Sequence, residues 1–314
     1  MEINITYWIG FIVFVIIMLA FDLGVFHKKN TEVKIKEAIL WSVFWISLAL
    51  IFNVGIYYLF GKAQALDFFT AYILEKSLSV DNLFVFIMIF GYFNIAPKYQ
   101  HKVLFWGIFG ALIMRAIFIF AGVALIENFS WIMYVFGIFL IYTGIHMIVN
   151  KKDEDDFDPG KNFIIRWFRK MMPVIDDTSD SRFFICKNKI LHATPFFVAL
   201  IFIEASDVVF AVDSIPAVLS VSKDIFIVFT SNIFAILGLR SLYFALNGIM
   251  KYFYYLKYAL AGILSFIGLK MCINEFSAML GYDFHISNYV SLGIIVSLLT
   301  ISIILSLAHG KKKQ

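Results

Sequence analysis

The sequence predicts an all-α membrane protein whose chain crosses the bilayer about nine times. Of its 314 residues, 61% are hydrophobic and only 15% are charged, and the mean hydropathy is +0.87. A soluble domain is roughly 45–50% apolar and about 25% charged, so a soluble fold of this length could not bury the surplus. The composition therefore excludes a soluble enzyme, a nucleic-acid-binding protein and a disordered chain. Two cysteines also exclude a disulfide scaffold and a cysteine-based zinc module.

Nine stretches are long and apolar enough to cross the hydrocarbon core as helices, which takes about 20 residues each. They lie at 7–26, 39–60, 68–94, 103–125, 130–149, 194–220, 225–247, 253–273 and 287–308. Together they form one transmembrane domain over residues 7–310, with a basic tail at 311–314. The first stretch ends near Asp22 with no small-residue cleavage site, so it is predicted to be a span and not a signal peptide.

The distribution of Lys and Arg predicts the orientation of the chain. Most of the 26 basic residues lie in the loops after the first, third, fifth and seventh spans and in the tail. The opposite loops hold only Lys62 and Lys223. By the positive-inside rule, the N-terminus faces outwards and the C-terminus is cytoplasmic. The cytoplasmic loop 150–192 contains an acidic linker and, at 163–171, an amphipathic helix predicted to lie in the membrane surface.

Spans 3–5 resemble spans 6–8, which predicts an internal repeat over about 68–149 and 194–273. Residues 107–115 and 232–240 share Ile, Phe, Leu and a final arginine, and 144–147 parallels 268–271. The strongest parallel is between Glu75–Asn82 and Asp207–Ser214, where an acid precedes an Asp by six residues. Because each copy has three spans, the second copy must be inverted in the membrane. Inverted repeats with interrupted helices are typical of secondary transporters.

Six carboxylates lie within the spans, where each charge costs about 2.5–3.5 kcal/mol on insertion scales. They are Asp22, Glu75, Asp81, Glu204, Asp207 and Asp213. The basic residues inside spans, predicted to be their charge partners, are Lys76, Arg115, Arg240 and also Lys270. Four cations against six acids leave two negative charges. One divalent cation would balance them, and so would two protons.

The polar residues around these acids favour a hard divalent cation. Carboxylate, amide and hydroxyl oxygens suit Mg²⁺, Ca²⁺ and Mn²⁺, whereas Zn²⁺ and Cu⁺ prefer imidazole and thiolate. Asp81 and Asp213 are the predicted primary ligands, with Asn82 and Ser214 beside them as further oxygen donors. The predicted roles of the other acids, each with structural pairing as the alternative, are ligand or proton acceptor for Glu75 and Asp207, and ligand for Asp22 and Glu204.

Helix geometry predicts an interruption near these ligands. Six residues turn a regular helix by about 600°, which places Asp207 and Asp213 about 120° apart. Pro216 lacks an amide hydrogen and frees the carbonyl of Val212. We therefore expect a break between Val212 and Pro216 that turns Asp213 inwards, and a corresponding break at 79–82.

These motifs resemble the TerC family of integral membrane proteins, and the nine-span layout is similar to its Alx-type branch. The resemblance rests on 21–23, 75–82, 97–108, Arg115 and 204–216. It implies a fold related to the LysE-type exporters, manganese efflux at the bacterial cytoplasmic (inner) membrane, and a named association with tellurium resistance. The family's acidic positions correspond to Glu75, Asp81, Asp207 and Asp213.

Residues and resemblance together predict an exporter of Mn²⁺ that works by alternating access, with proton coupling as a hypothesis. No ATP-binding motif, catalytic residue or tightly bound cofactor is predicted, and the predicted partners are the lipid bilayer, Mn²⁺ and protons, with no nucleic acid. Two alternatives stay open. One is a membrane scaffold or insertion factor, and the other is a pH-responsive proton transporter in which divalent cations are incidental.

Overall fold

The computed structural model describes residues 4–26, 35–93, 95–129, 131–149, 182–187, 190–247, 255–279 and 286–310. The described part of the chain is almost entirely helical. The elements are α1 (Ile5–Phe26), α2 (Ile35–Phe60), α3 (Lys62–Tyr92), α4 (Pro97–Asn128), α5 (Ile132–Val149), β1 (Phe184–Lys187), β2 (Ile190–Ala193), α6 (Pro195–Leu219), α7 (Ile225–Leu237), α8 (Leu239–Leu246), α9 (Leu256–Met279) and α10 (Asn288–Gly310).

Eight of the described segments are long and apolar enough to cross a membrane, which confirms the all-α polytopic architecture. They are α1, α2, α4, α5, α6, α9, α10 and the α7–α8 pair, which together make one span. The ninth predicted span, 68–94, overlaps the 31-residue helix α3, which begins six residues before the predicted start and ends at Tyr92. That helix is not among the eight, and it carries five charged residues: Lys62, Asp67, Glu75, Lys76 and Asp81.

Local sequence explains several of the helix ends. Pro97 and Pro195 open α4 and α6, where a missing amide hydrogen costs nothing. The Asp224 carboxylate caps α7 by accepting hydrogen bonds from the amides of Phe226 at 3.0 Å and Ile227 at 3.3 Å.

The predicted helix breaks are wrong in position. Helix α6 runs unbroken through Pro216, and α3 runs unbroken through 79–82. The Pro216 ring removes the hydrogen bond to the Val212 carbonyl, but the turn that follows is intact, because the Ser220 amide donates to the Pro216 oxygen at 3.0 Å. The buried residues that follow Pro216 hold this last turn against its neighbours. The break lies instead in the next span, at Gly238 between α7 and α8.

The polar helix α3 lies at the centre of the bundle. It packs against α2, α6, α7 and α10, while α4 packs against α6 and α7. Helix α7 is almost wholly buried, whereas α1 and α2 expose many large apolar side chains, as expected of surfaces that face lipid.

Helices α5 and α9 form the most extensive helix pair in the described structure. Glycines permit their close approach, because a β-carbon at Gly137 would lie only 2.9 Å from the backbone oxygen of Gly268. In membranes, such small residues let helices pack backbone to backbone. These two helices are the third spans of the predicted repeats, whose inverted relationship stays a prediction.

The end of the 150–192 loop contains a feature that the sequence analysis missed. Strands β1 and β2 form an antiparallel hairpin in which Phe184 pairs with Ala193 and Lys187 with Ile190. The predicted acidic linker and surface helix lie outside the described residues, as does the basic tail.

Candidate functional site

A buried arginine lies between two carboxylates near the middle of the bundle. Arg115 of α4 contacts Glu75 of α3 through Nη1 and Oε1. Towards Asp207 of α6, its Nη2 donates to Oδ1 at 2.9 Å and its Nε donates to Oδ2 at 3.3 Å. Such bidentate pairs are among the strongest ion pairs that arginine makes with a carboxylate. All three residues are at most 2% exposed, so their charges are stabilised by one another and not by contact with water.

Neutral polar side chains complete this cluster. Arg115 Nη1 donates to Ser214 Oγ at 3.4 Å and to Asn232 Oδ1 at 3.3 Å, and Asn82 Nδ2 donates to Asp207 Oδ1 at 3.3 Å. Within the described structure, Glu75 Oε2 and Asn82 Oδ1 are buried oxygens with no hydrogen-bond donor. Buried polar atoms are normally satisfied, so unused oxygens at this position are available as ligands.

The cluster borders a cavity of about 150 Å³. Its lining residues are Glu75, Leu78, Asn82, Arg115, Thr143, Met147, Phe210, Asp213, Ser214 and Leu264. Asp213 is half-buried and accepts a 3.4 Å hydrogen bond from Thr143 Oγ1. A water molecule takes about 30 Å³ in the liquid, so the cavity has room for a small ion with several waters. One guanidinium against the three carboxylates Glu75, Asp207 and Asp213 leaves the site with a formal excess of two negative charges.

The structure thus brings five predicted ligands to one place: Glu75, Asn82, Asp207, Asp213 and Ser214. Glu204 lies about one turn before Asp207 on α6 and packs against Gly110 of α4, where a β-carbon would overlap its carboxylate. The side chain of Asp81 lies outside the described residues.

Asp22 belongs to a separate ion pair. The Arg240 guanidinium contacts the Asp22 carboxylate and donates to its backbone oxygen at 3.2 Å, with both residues buried. This pair joins α1 to α8 and does not line the central cavity. Both arginines were predicted as charge partners of the acids within the spans. Arg115 pairs with Glu75 and Asp207 beside the cavity, whereas Arg240 pairs with Asp22 elsewhere in the bundle.

Lys76 contacts a helix end in this structure. Its Nζ donates to the backbone oxygen of Ala235 at 3.0 Å, in the last turn of α7 before the break at Gly238. Carbonyls at the C-terminal end of a helix lack internal partners and carry partial negative charge, which an ammonium group stabilises. A β-carbon at Gly238 would lie 2.8 Å from Lys76 Nζ and 3.1 Å from Trp45 Cβ, so only glycine fits here without rearrangement.

Lys270 belongs to a second polar network, away from the cavity. Its Nζ donates to Asn288 Oδ1 at 2.7 Å, and Asn288 Nδ2 donates to Asp67 Oδ1 at 2.7 Å and to the Val221 backbone oxygen at 2.8 Å. Asp67 and Asn288 were not among the predicted site residues.

Among the described side chains, no group of three or more His, Cys, Asp or Glu residues is close enough to hold a metal ion by itself. Arg115 engages Glu75 and Asp207 instead. Sequence reasoning also missed Thr143 and Met147 of α5 as lining residues, because neutral side chains in an apolar helix give no charge signal. Their four-residue spacing, which places them on one helix face, was the available clue.

The family model for the integral membrane protein TerC family matches residues 60–314. The chain belongs to the TerC family. An uncharacterized membrane protein of Myxococcus xanthus, STKORF319, is 50% identical over 304 residues, covering 97% of this chain and 92% of its own. Two relatives carry the name "Putative membrane-bound redox modulator Alx". The one from Salmonella typhi is 44% identical over 318 residues, covering 98% of this chain and 96% of its own. The one from Escherichia coli K12 is 44% identical over 308 residues, with 95% and 93% covered. No solved structure matches.

Membership of the TerC family confirms the resemblance and supports a multi-pass integral membrane protein. The matched region begins at residue 60 and so contains the whole central cluster. Asp22 on α1 lies before it, so the Asp22–Arg240 pair ties an N-terminal helix to the TerC core.

Proposed function

We propose that this TerC-family protein exports divalent metal cations, with Mn²⁺ as the main substrate, across the bacterial cytoplasmic membrane by alternating access. The observation that carries the proposal is the cavity where the Glu75–Arg115–Asp207 cluster meets Asp213. A site rich in carboxylate, amide and hydroxyl oxygens, with an excess of negative charge, suits a hard divalent cation.

Arg115 has a specific role in this proposal. When no ion is bound, its guanidinium balances part of the negative charge on Glu75 and Asp207, both of which it contacts directly. An entering cation competes with the guanidinium for these carboxylates. Arg115 therefore supplies positive charge to the site when no metal ion is bound, so that the transporter can return to its starting conformation without cargo.

The position of the site suits alternating access. Its residues come from α3, α4 and α5 in the first predicted repeat and from α6, α7 and α9 in the second. Transporters built from inverted repeats bind substrate at the interface between the repeats, beside interrupted helices. The α7–α8 break at Gly238 supplies an interrupted helix in the span that also contributes Asn232.

Proton antiport would supply the energy. Asp213 lines the cavity and is held by only one long hydrogen bond among the described contacts, so it is the carboxylate best placed to exchange a proton for a metal ion. Metal export that stays constant when the proton gradient is collapsed would remove this part of the proposal.

The decisive experiment is total cell manganese, measured by mass spectrometry in a manganese-sensitive host without exporters of its own. The strains carry empty vector, wild type, Asp213→Asn, or Glu275→Gln, all at equal membrane expression. Glu275 is a suitable control because its carboxylate lies at the rim of another cavity, 3.8 Å from the exposed Lys223. We expect wild type and Glu275→Gln to lower manganese and Asp213→Asn to fail. Unchanged manganese in every strain would reject export.

The two alternatives give different results. A proton transporter predicts that Asp213→Asn alters recovery of cytoplasmic pH without changing metal content. A scaffold or insertion factor predicts that this conservative change leaves function intact.

The name carried by the Alx relatives adds redox modulation as a second candidate. Cys186 is exposed in β1 and Cys272 is half-buried in α9, and both are free thiols. The double variant Cys186→Ser, Cys272→Ser keeps metal export under our proposal. Loss of function in that variant would favour thiol chemistry.

A further inference from the structure

One wall of the central cavity is formed by α5, which contributes Thr143 and Met147. These residues are four positions apart and therefore share one face of the helix. Thr143 Oγ1 donates to Asp213 Oδ1 at 3.4 Å, which fixes that face towards the acidic side of the cavity. Met147 lies one turn further along, and it borders the same space as Glu75, Asn82 and Asp213.

Met147 differs in chemistry from the other polar lining groups. The side chains of Glu75, Asn82, Thr143, Asp213 and Ser214 all offer hard oxygens. Oxygen sites alone suit Mg²⁺, Ca²⁺ and Mn²⁺ alike, so they leave the choice among these ions to cavity size and rigidity. A thioether is a soft, polarizable ligand, which a first-row transition ion uses better than Ca²⁺ or Mg²⁺.

We propose that the Met147 thioether is a selectivity ligand that favours Mn²⁺ over Ca²⁺ and Mg²⁺ in this cavity. The inference rests on the proposed export function and deepens it by assigning the discrimination to one residue. Ca²⁺ or Mg²⁺ entering the site faces sulfur where it would otherwise keep a water molecule, and it loses part of its hydration without adequate replacement. Mn²⁺ accepts the sulfur as a donor.

The ordinary structural role of Met147 is to fill space, since it also packs against an apolar cluster to which α6 and α9 contribute many of the residues. Leucine fills nearly the same volume and packs as well, but it has no donor atom. Comparing the two residues therefore separates packing from ligation. Met271 provides a matched control, because it takes the same place as Met147 in the repeated Gly-x-x-Met motif, yet it is only 2% exposed and does not line this cavity.

The experiment uses the full chain in proteoliposomes. Mn²⁺ transport is measured with increasing Ca²⁺ or Mg²⁺ as competitor, and Mn²⁺ binding is measured in detergent. The proteins are wild type, Met147→Leu, Met147→Gln and Met271→Leu. Groups that merely support metal ligands are worth roughly 10–100-fold in affinity, so losing a direct donor should lower the Mn²⁺ to Ca²⁺ preference by about 10-fold or more in Met147→Leu.

Met147→Gln replaces the sulfur with an oxygen at similar reach, so we expect it to move the preference further towards Ca²⁺ and Mg²⁺. It also serves as the test if the leucine variant does not reach the membrane. Met271→Leu should keep the wild-type preference. If wild type transports Mn²⁺ and both Met147 variants retain its preference, this inference is overturned while the export proposal stands. If wild type transports no Mn²⁺, both are overturned.

Discussion

Replacing Arg115 with glutamine tests whether the central charges depend on one another. The change removes the only positive charge that the described contacts place between Glu75 and Asp207, while an amide of moderate length remains. Both acids are at most 2% exposed, so water cannot take over the role of the guanidinium.

The expected loss can be worked out from these contacts. Removing one partner of a buried ion pair costs about 3–5 kcal/mol, because an uncompensated charge stays buried. At roughly 2–4 °C per kcal/mol, the melting temperature should fall by about 6–20 °C. Arg115→Lys should fall in between, since lysine keeps the charge but cannot bind Asp207 with two parallel hydrogen bonds.

The assay is thermal unfolding of the purified full chain in detergent, followed by the loss of the monodisperse peak in size-exclusion chromatography. Adding Asp207→Asn to Arg115→Gln removes one of the stranded charges and should restore part of the lost stability. Such non-additivity is the signature of residues in one network. The coupled cluster is refuted if Arg115→Gln has the same melting temperature as wild type. It is also refuted if Asp207→Asn lowers the melting temperature as much in the Arg115→Gln background as it does alone.

Three further stability predictions follow from close contacts. Gly238→Ala should cost about 1–3 kcal/mol, because its β-carbon presses on a lysine ammonium and a tryptophan at the helix break. Gly137→Ala should lower the free energy of unfolding by at least as much, since backbone atoms of α9 block the new methyl group. Gly10→Ala is the control for both variants: a β-carbon there would have nothing within 4 Å, so the change should be neutral or stabilising. Lys270→Met should cost about 1.5–3 kcal/mol through its lost charge-assisted hydrogen bond, whereas Lys223→Met, at a side chain 65% exposed, should stay within about 0.5 kcal/mol. The same unfolding assay measures each, and equal melting temperatures for a variant and its control would contradict it.

The sequence was sufficient to predict the all-α membrane architecture, because bilayer thickness sets the length of each apolar stretch that crosses it. It was also sufficient for the need to pair Glu75 and Asp207, since buried acids require compensation. The identity of the partners depended on packing. Arg115 serves both acids at once, and Lys76 bonds to a backbone oxygen, an acceptor that leaves no trace in the sequence.

The helix break shows the limit of local rules. Proline breaks helices more strongly than glycine, yet α6 continues through Pro216, because the buried residues after it pack the last turn against neighbouring helices. Gly238 is unremarkable in sequence, because glycine is common in membrane helices. Its role becomes visible only when the side chains packed against it, Trp45 and Lys76, are known. The β1–β2 hairpin was missed for a related reason, since strands of four residues are too short to show a period.

The polarity of α3 has a consequence for how the protein is made. During synthesis this helix leaves the ribosome with its charged residues before Arg115 of α4, and long before Asp207 and Asn232 exist. Its own apolar content is a weak signal for the insertion machinery, so we expect α3 to enter the lipid together with α4 as a hairpin. The centre of the bundle therefore acquires its final arrangement only after the C-terminal half of the chain has been synthesised.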